Sequence, residues 1–224
     1  MDAFIAAEQA GAEGIELDVH LSRDRQLVVI HDKTVNRTTN KKGLVKDFSL
    51  TELKKLDASY TFKNSFEKQR IPSLVEVFDW LQTNDLLCNI ELKNNAIPYE
   101  KLEEKVIALI REYHFEDRII ISSFNHYSLV HCYRLAPEIE TAPLYAERLF
   151  MPWIYAKSIF AKGIHPSFKV ASEKIIKATL ENGIAVRPYT VNKERDMERF
   201  ISLQSSAIIT DFPEKAINIR KKSL

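Results

Sequence analysis

Apolar positions along this chain follow two rhythms that alternate. Short runs rich in Ile, Val and Leu occur at 14–19 ("GIELDV"), 86–93 ("LLCNIELK"), 118–124 ("RIIISSF"), 141–145 ("TAPLY"), 163–166 ("GIHP"), 184–192 ("IAVRPYTVN") and 206–211 ("SAIITD"). They lack the strict alternation of a sheet with one wet face, so they read as parallel strands covered on both sides. Between them, apolar residues return every three or four positions. Helices are expected over 73–82, 99–114, 127–136, 147–161, 172–182, 193–203 and 213–222. Leu102, Val106, Leu109 and Ile110 form the apolar side of the second of these. The opening "MDAFIAAEQAG" reads as the later part of a helix that stops at Gly11. Ser49 with Glu52, and Ser73 with Glu76, have capping-box spacing. The aromatic stretch "LFMPWIYAKSIF" is expected to pack in the core, with an irregularity at Pro152.

Seven strands of parallel type alternating with helices is one short of a closed eight-stranded TIM barrel. The rival, an open doubly wound sheet, normally shows a Gly-rich phosphate loop after a strand, and none is present. The segment after the first hairpin is polar and irregular, with one short helix at "SLTELKKLD", and the chain is read as a single domain spanning 1–224. Gly14, Gly163 and Gly183 each precede a strand, where a helix end needs a left-handed residue.

Composition narrows this little. Apolar residues are 45% and charged residues 28%, ordinary for a globular chain of 224 residues. A net charge of +1 gives no electrostatic case for nucleic acid. No apolar run approaches a bilayer span, and the first residues have no basic start of the signal-peptide kind. Cys88 and Cys132 stand far apart without CxxC spacing, which suggests buried thiols in a reducing cytoplasmic setting.

The chemistry concentrates in "GIELDVHLSRDRQLVVIHD". Residues two apart share a face of a strand. Ile15, Leu17 and Val19 therefore point one way, and Glu16, Asp18 and His20 the other. After a tight turn at "RDRQ" the chain runs back. Val28 and Ile30 are expected on the apolar face, with Val29 and His31 on the carboxylate face. "GIELD" is echoed by "NIELK", where Glu91 and Lys93 share a face. Three carboxylates aimed at one point repel unless a cation sits among them. A divalent ion together with Lys93 balances their charge, and an all-oxygen set favours Mg²⁺ or Ca²⁺. Such a site welcomes a phosphate, and His31 beside it can move protons near neutral pH. His20 is placed on the outer rim without a role. Asp211 with Glu214 reads as a helix cap. His165 is divided between pocket lining and packing. His114, His126 and His131 read as surface or satisfied core.

The long motif 11–43, then "NIELK" after "IPSLVEVF", "RPYTVN" and "IITDFP", resembles the glycerophosphodiester phosphodiesterase family in order and spacing over almost the whole chain. The resemblance implies a TIM-barrel hydrolase, with a small insertion at about 33–70 after the first hairpin, that cleaves glycerophosphodiesters, the deacylated forms of phospholipids, to glycerol 3-phosphate and an alcohol. Carried over by position, Glu16, Asp18 and Glu91 bind a divalent metal, Ca²⁺ or Mg²⁺. His31 is one of two histidines that exchange protons, and Lys93 holds the phosphate. Tyr189 stands where the family often has tryptophan, in a stretch lining the pocket. The family's own start, a strand ending in His-Arg-Gly and a Glu-Asn-Thr segment, has no counterpart here, because Met1 falls where the first helix is already running. The barrel is expected to lack that strand and the second histidine, either because the start lies upstream or because the gene is shortened. Turnover is then expected to fall by about 10²–10⁴. The alternative class is a non-catalytic scaffold that keeps only metal and phosphodiester binding.

Overall fold

The computed structural model describes residues 1–60 and 68–223, and residues 61–67 of the expected insertion lie outside the described residues. Seven strands form one sheet: β1 (Gly14–Leu21), β2 (Leu27–Val29), β3 (Leu87–Leu92), β4 (Ile119–Ser123), β5 (Glu140–Tyr145), β6 (Gly163–Pro166) and β7 (Ala185–Val186). Their order is β2-β1-β3-β4-β5-β6-β7, and all neighbours are parallel except β2, which runs antiparallel to the end of β1. The helices are α1 (Asp2–Ala10), α2 (Leu50–Lys54), α3 (Leu74–Leu81), α4 (Leu102–Glu112), α5 (His126–Leu135), α6 (Pro152–Ser158), α7 (Glu173–Glu181), α8 (Glu194–Ser202) and α9 (Pro213–Ser223). This is the succession of a TIM-type barrel whose sheet is not closed by hydrogen bonds. On the outside, α9 packs against both α1 and α8.

The alternation read from the sequence sets the two faces of the wall. Leu17 and Val19 of β1, Ile90 and Leu92 of β3, and Ile121 of β4 face the helices in one core with Phe78, Val106 and Ile110. The opposite parity, Glu16, Asp18, His20, Asn89, Glu91, Lys93 and Ser122, is left for the interior of the barrel. A second core joins Ile164 and Val186 to Ile176, Met197 and Phe200. A third, small core holds Val28 against Val35, Val45, Leu53, Leu56 and Ile71, so the insertion covers the hairpin with a hydrophobic patch of its own. Both capping boxes form, at Ser49–Glu52 and Ser73–Glu76.

Several expectations are corrected. The hairpin register pairs Val19 with Val29 and Leu21 with Leu27, which places Leu27 and Val29, not Val28 and Ile30, on the apolar face of β1. Both sides of β2 are apolar and covered, so alternation could not choose between them. Gly14 and Gly163 do not cap helices; the positive-φ glycines that follow helices are Gly11 (φ 87°) and Gly183 (φ 74°). A Cβ at Gly14 would lie 2.8 Å from the Leu87 carbonyl oxygen, so glycine there permits close strand approach. Asp211 exchanges hydrogen bonds with Asn192, whose Nδ2 donates to Asp211 Oδ2 at 2.6 Å. "SAIITD" is not a ladder strand. It lies extended beside β7, with Ser206 N donating to Val186 O and Ile209 N to Pro188 O, both at 3.0 Å. Its backbone pairs with this one neighbour among the described residues, too irregularly for a ladder. The aromatic stretch is core only in part: Pro152 starts α6 late, Ala156 is in the second core with Leu149, Trp153 and Ile159 packed against it, and Phe150 is 88% exposed.

His165 sits on β6 with its neighbour Ile164 in the outer core, so it faces the barrel interior, fully buried and with neither ring nitrogen partnered among the described residues. Burial, helped by the charge of Arg187, lowers its pKa to about 3. The unfolded chain takes up a proton near pH 6.5 that the folded chain refuses, so stability present at pH 7 is lost as pH falls from about 6.5 towards 3. His165→Leu is expected to flatten this acid limb by up to several kcal/mol, at about 1.4 kcal/mol per unit, in urea titrations run between pH 7 and 4.

Candidate active site

The parallel register of β1 with β3 sets Glu16 opposite Asn89 and Asp18 opposite Glu91. One carboxylate oxygen from each of Glu16, Asp18 and Glu91 lies within 4.8 Å of the other two. Lys93, two residues beyond Glu91, extends over the same face. Its Nζ is 2.8 Å from Glu91 Oε1 and 3.3 Å from Asp18 Oδ1. The alignment leaves both oxygens, which are buried, without a proper hydrogen bond, so the contact is an ion pair by distance only. Burial, then Asp18 and Glu91, hold the Glu16 carboxyl well above the usual range. Burial raises Glu91 as well, against the opposing charge of Lys93. For Lys93, burial opposes the charge but Asp18 and Glu91 outweigh it, and its pKa rises.

The donor set fits a divalent cation. It offers three convergent carboxylates, two of them with buried oxygens lacking a hydrogen-bond donor, and an excess of negative charge in a partly desolvated place.

His31 follows β2, where the chain has left the ladder. Its side chain is 65% exposed, and its Nδ1 lies 2.7 Å from Asp32 Oδ1. Asp32 is gripped by Arg37, through Nε at 2.7 Å and Nη2 at 3.0 Å. The Arg37 hydrogen bonds outweigh burial and, with His31, lower the Asp32 pKa to about 2, so the carboxylate stays charged. A carboxylate only accepts, hence Nδ1 donates to it and Nε2 is left as the proton acceptor of the neutral ring. A base oriented in this way by a third group is the arrangement of acid–base catalysis. The charged form of His31 is within electrostatic reach of Glu91.

The sequence placed His20 on the rim, but the structure buries it. Its Nδ1 meets Tyr99 OH at 3.0 Å and its Nε2 meets the His31 carbonyl oxygen at 3.3 Å. A carbonyl can only accept, so Nε2 donates and Nδ1 takes the tyrosine proton. Burial lowers the His20 pKa to about 4, which keeps the ring neutral in that role. His20, Tyr99, Asp32 and Arg37 were missed as supports. The adjacency of His31 and Asp32 was the one signal for them in the sequence.

Tyr189 is half-buried. Its hydroxyl donates to the Tyr145 carbonyl oxygen at 3.1 Å, and its ring meets Phe124 edge-on at 6.0 Å between centroids. Burial and then the charge of Glu91 push its pKa up to about 12. Of the remaining histidines, His126 bonds Tyr155 OH and the Leu144 carbonyl oxygen, and His131 lies 3.5 Å from Glu104. Cys88 and Cys132 are buried, free thiols, and no described helix is long and apolar enough to cross a membrane.

A TIM-type barrel with three carboxylates and a lysine converging from the adjacent strands β1 and β3 has the donor set for a cation and the charge to receive an anion. The chain belongs to the glycerophosphoryl diester phosphodiesterase family, which it matches over residues 1–215, and it is an enzyme of that class. It is 47% identical to the glycerophosphodiester phosphodiesterase of Caldanaerobacter subterraneus subsp. tengcongensis, covering 98% of this chain and 90% of that protein. Identity to the glycerophosphodiester phosphodiesterase of Bacillus altitudinis is 43%, covering 99% and 92%. Among solved structures, an Oleispira antarctica phosphodiesterase in complex with the product sn-glycerol-3-phosphate superposes with a TM-score of 0.84 at 27% identity, covering 98% of this chain and 89% of that one.

The repulsion within the carboxylate cluster gives an expectation for stability. Glu16→Gln should raise the metal-free unfolding midpoint by roughly 2–4 °C, the equivalent of about 1 kcal/mol at this length, while abolishing the rise that Ca²⁺ or Mg²⁺ gives the parent chain. Thermal unfolding with EDTA and with each ion checks both halves. Lys93→Met should do the reverse in the metal-free protein, because it strands the carboxylates without their cation.

Proposed function

We propose that the protein hydrolyses glycerophosphodiesters to sn-glycerol 3-phosphate and an alcohol in a reaction that depends on Ca²⁺ or Mg²⁺ held by Glu16, Asp18 and Glu91. The observation that carries this reading is the convergence of the three carboxylates with Lys93 on one interior face. The product bound by the Oleispira antarctica relative and the names of the relatives support the substrate class. The site residues, a single domain over 1–224, a place in lipid breakdown and a cytoplasmic setting belong to the same reading. When bound, the cation polarises the phosphodiester and acidifies a neighbouring hydroxyl.

The chain's own residues do the rest. Lys93 holds the phosphate, since its ammonium already faces anionic oxygens. His31 Nε2 takes a proton during attack and returns it to the departing alcohol, while Asp32 steadies the charged imidazolium. Tyr189 and Phe124 wall the mouth. Overall, one phosphorus–oxygen bond to the alcohol breaks, water supplies hydroxyl to phosphorus, and its other proton leaves on the alcohol. Both ring nitrogens of His20 are committed to Tyr99 and the His31 carbonyl oxygen, so proton transfer in this reading falls to His31, and turnover is expected to be slow.

Release of glycerol 3-phosphate from a panel of glycerophosphodiesters, assayed with Mg²⁺, Ca²⁺ or EDTA, tests the proposal. Turnover is expected to need the ion, to vanish in Glu16→Ala, and to drop by about 10²–10⁴ in His31→Ala. Metal-induced stabilisation without any turnover would favour the binding scaffold instead.

A further inference from the structure

We infer that the starts of α5 and α6, with the loop before α6, form a surface that docks the protein on an anionic phospholipid bilayer. Phe150, Met151 and Ile154 enter the interface, and the basic residues around them meet the lipid phosphates. Docking of this kind is separate from the hydrolysis proposed above and does not depend on it.

The apolar part of the surface is held out by its own anchors. Leu149, Trp153 and Ile159 pack against the second core around Ala156. Residues between these anchors are left outside: Phe150 is 88% exposed, Ile154 56% and Met151 37%. Tyr127, in the first turn of α5, is 90% exposed, and it lies within electrostatic reach of Tyr155 on α6. His126 ties the two helices together, with its ring nitrogens 2.7 Å from Tyr155 OH and 2.8 Å from the Leu144 carbonyl oxygen. Both helices follow the C-terminal ends of β4 and β5, which run parallel to β3. The apolar group is thus at the same end of the barrel as Glu91 and Lys93. Single exposed apolar residues are ordinary, but aromatic and aliphatic side chains gathered at one rim mark an interaction site.

Charge selects the partner. Asp and Glu make up 31 of the 224 residues, yet residues 148–172 contain none, and neither do residues 118–137. Exposed Arg148, Lys157 and Lys169 stand in the first stretch and exposed Arg134 in the second. None of them has a carboxylate partner among the described residues, whereas Arg111 and Lys177 elsewhere are paired. Lys157 has only a long contact, 3.5 Å, to the Asn182 side chain. Glu147, exposed and next to Arg148, is the one acidic residue of the loop before α6. A second copy fits poorly, because a two-fold contact sets a patch against itself and would bring these cations together. An anionic bilayer fits both halves of the surface. Aromatic and aliphatic side chains enter the headgroup region, while Lys and Arg stay at the phosphates with their methylenes along the apolar part.

The test is co-flotation of the full chain with vesicles of pure phosphatidylcholine and with vesicles of equimolar phosphatidylcholine and phosphatidylglycerol. Partition to the anionic vesicles is expected to be about tenfold stronger or more, since each basic residue near the surface adds to it. It should fall steeply when salt is raised from about 0.1 M to about 1 M, which shortens the screening length from about 10 Å to about 3 Å. Phe150→Ser with Ile154→Ser should weaken binding to the anionic vesicles about tenfold or more, from the apolar area returned to water. Arg148→Glu with Lys157→Glu should weaken it by about tenfold and leave pure phosphatidylcholine unchanged. All four side chains are exposed, so both pairs are expected to keep the parent's unfolding midpoint, and a loss of binding reports the surface rather than the fold. Two changes elsewhere serve as controls: Val75→Ser, 43% exposed on α3, and Lys221→Glu with Lys222→Glu in the basic last turn of α9. Binding that ignores headgroup charge, that survives both pairs, or that is lost equally in the controls overturns the inference. Absence of binding to either vesicle overturns it too, and a dimer in sedimentation that the Phe150→Ser pair dissolves would then assign the face to a second copy. No outcome depends on hydrolysis, so failure here leaves the proposed reaction standing, and an inactive protein leaves the docking surface standing.

Discussion

Three carboxylates held within 4.8 Å of one another are the constraint around which the barrel mouth is arranged. They are kept there by the β1–β3 ladder, which aligns Asp18 with Glu91 and Glu16 with Asn89. The inward strand positions cannot relax outward, because the alternate positions, Leu17, Val19, Ile90 and Leu92, are anchored in the helical core. Moving a carboxylate to solvent would mean moving an apolar side chain out of the core as well. The repulsion therefore remains in the folded protein. It is offset in part by Lys93, and the buried oxygens left without donors make the site receptive to a cation.

The same compromise explains the surroundings of His31. An exposed histidine needs orientation more than burial. It is oriented from two directions: Asp32, fixed by Arg37, holds the ring, and neutral His20, fixed by Tyr99, holds the main chain. The insertion contributes Arg37 and closes a small core against Val28. It thus braces the hairpin end that carries His31, which ties a poorly patterned polar segment to the chemistry.

Apolar surface is distributed unevenly. The helices that cover β1, β3 and β4 bury their apolar faces almost completely, whereas α6 and the loop before it leave Phe150 and Ile154 in water. In the sequence these two classes look alike, as aromatic and aliphatic residues at helical spacing. Pro152 starts the helix late and makes it short, so that Leu149, Trp153 and Ile159 reach the second core while Phe150 and Ile154 do not.

The sequence by itself determined the alternation of strands and helices, the inward parity of Glu16, Asp18, Glu91 and Lys93, and the two capping boxes. Each of these depends on residues close along the chain, where a period of two or of 3.6 fixes the face. What lay between distant segments was settled by tertiary structure. The hairpin register was misread because both faces of β2 are covered, one by a distant insertion. His20 was misplaced because its partner Tyr99 is far along the chain. "SAIITD" has the composition of a strand, yet strand structure also requires a regular ladder with a neighbour. Phe124 and Tyr189, 65 positions apart, meet edge-on at 6.0 Å, a contact no local pattern announces. Local periodicity says which way a side chain points, and only packing in three dimensions says what it meets there.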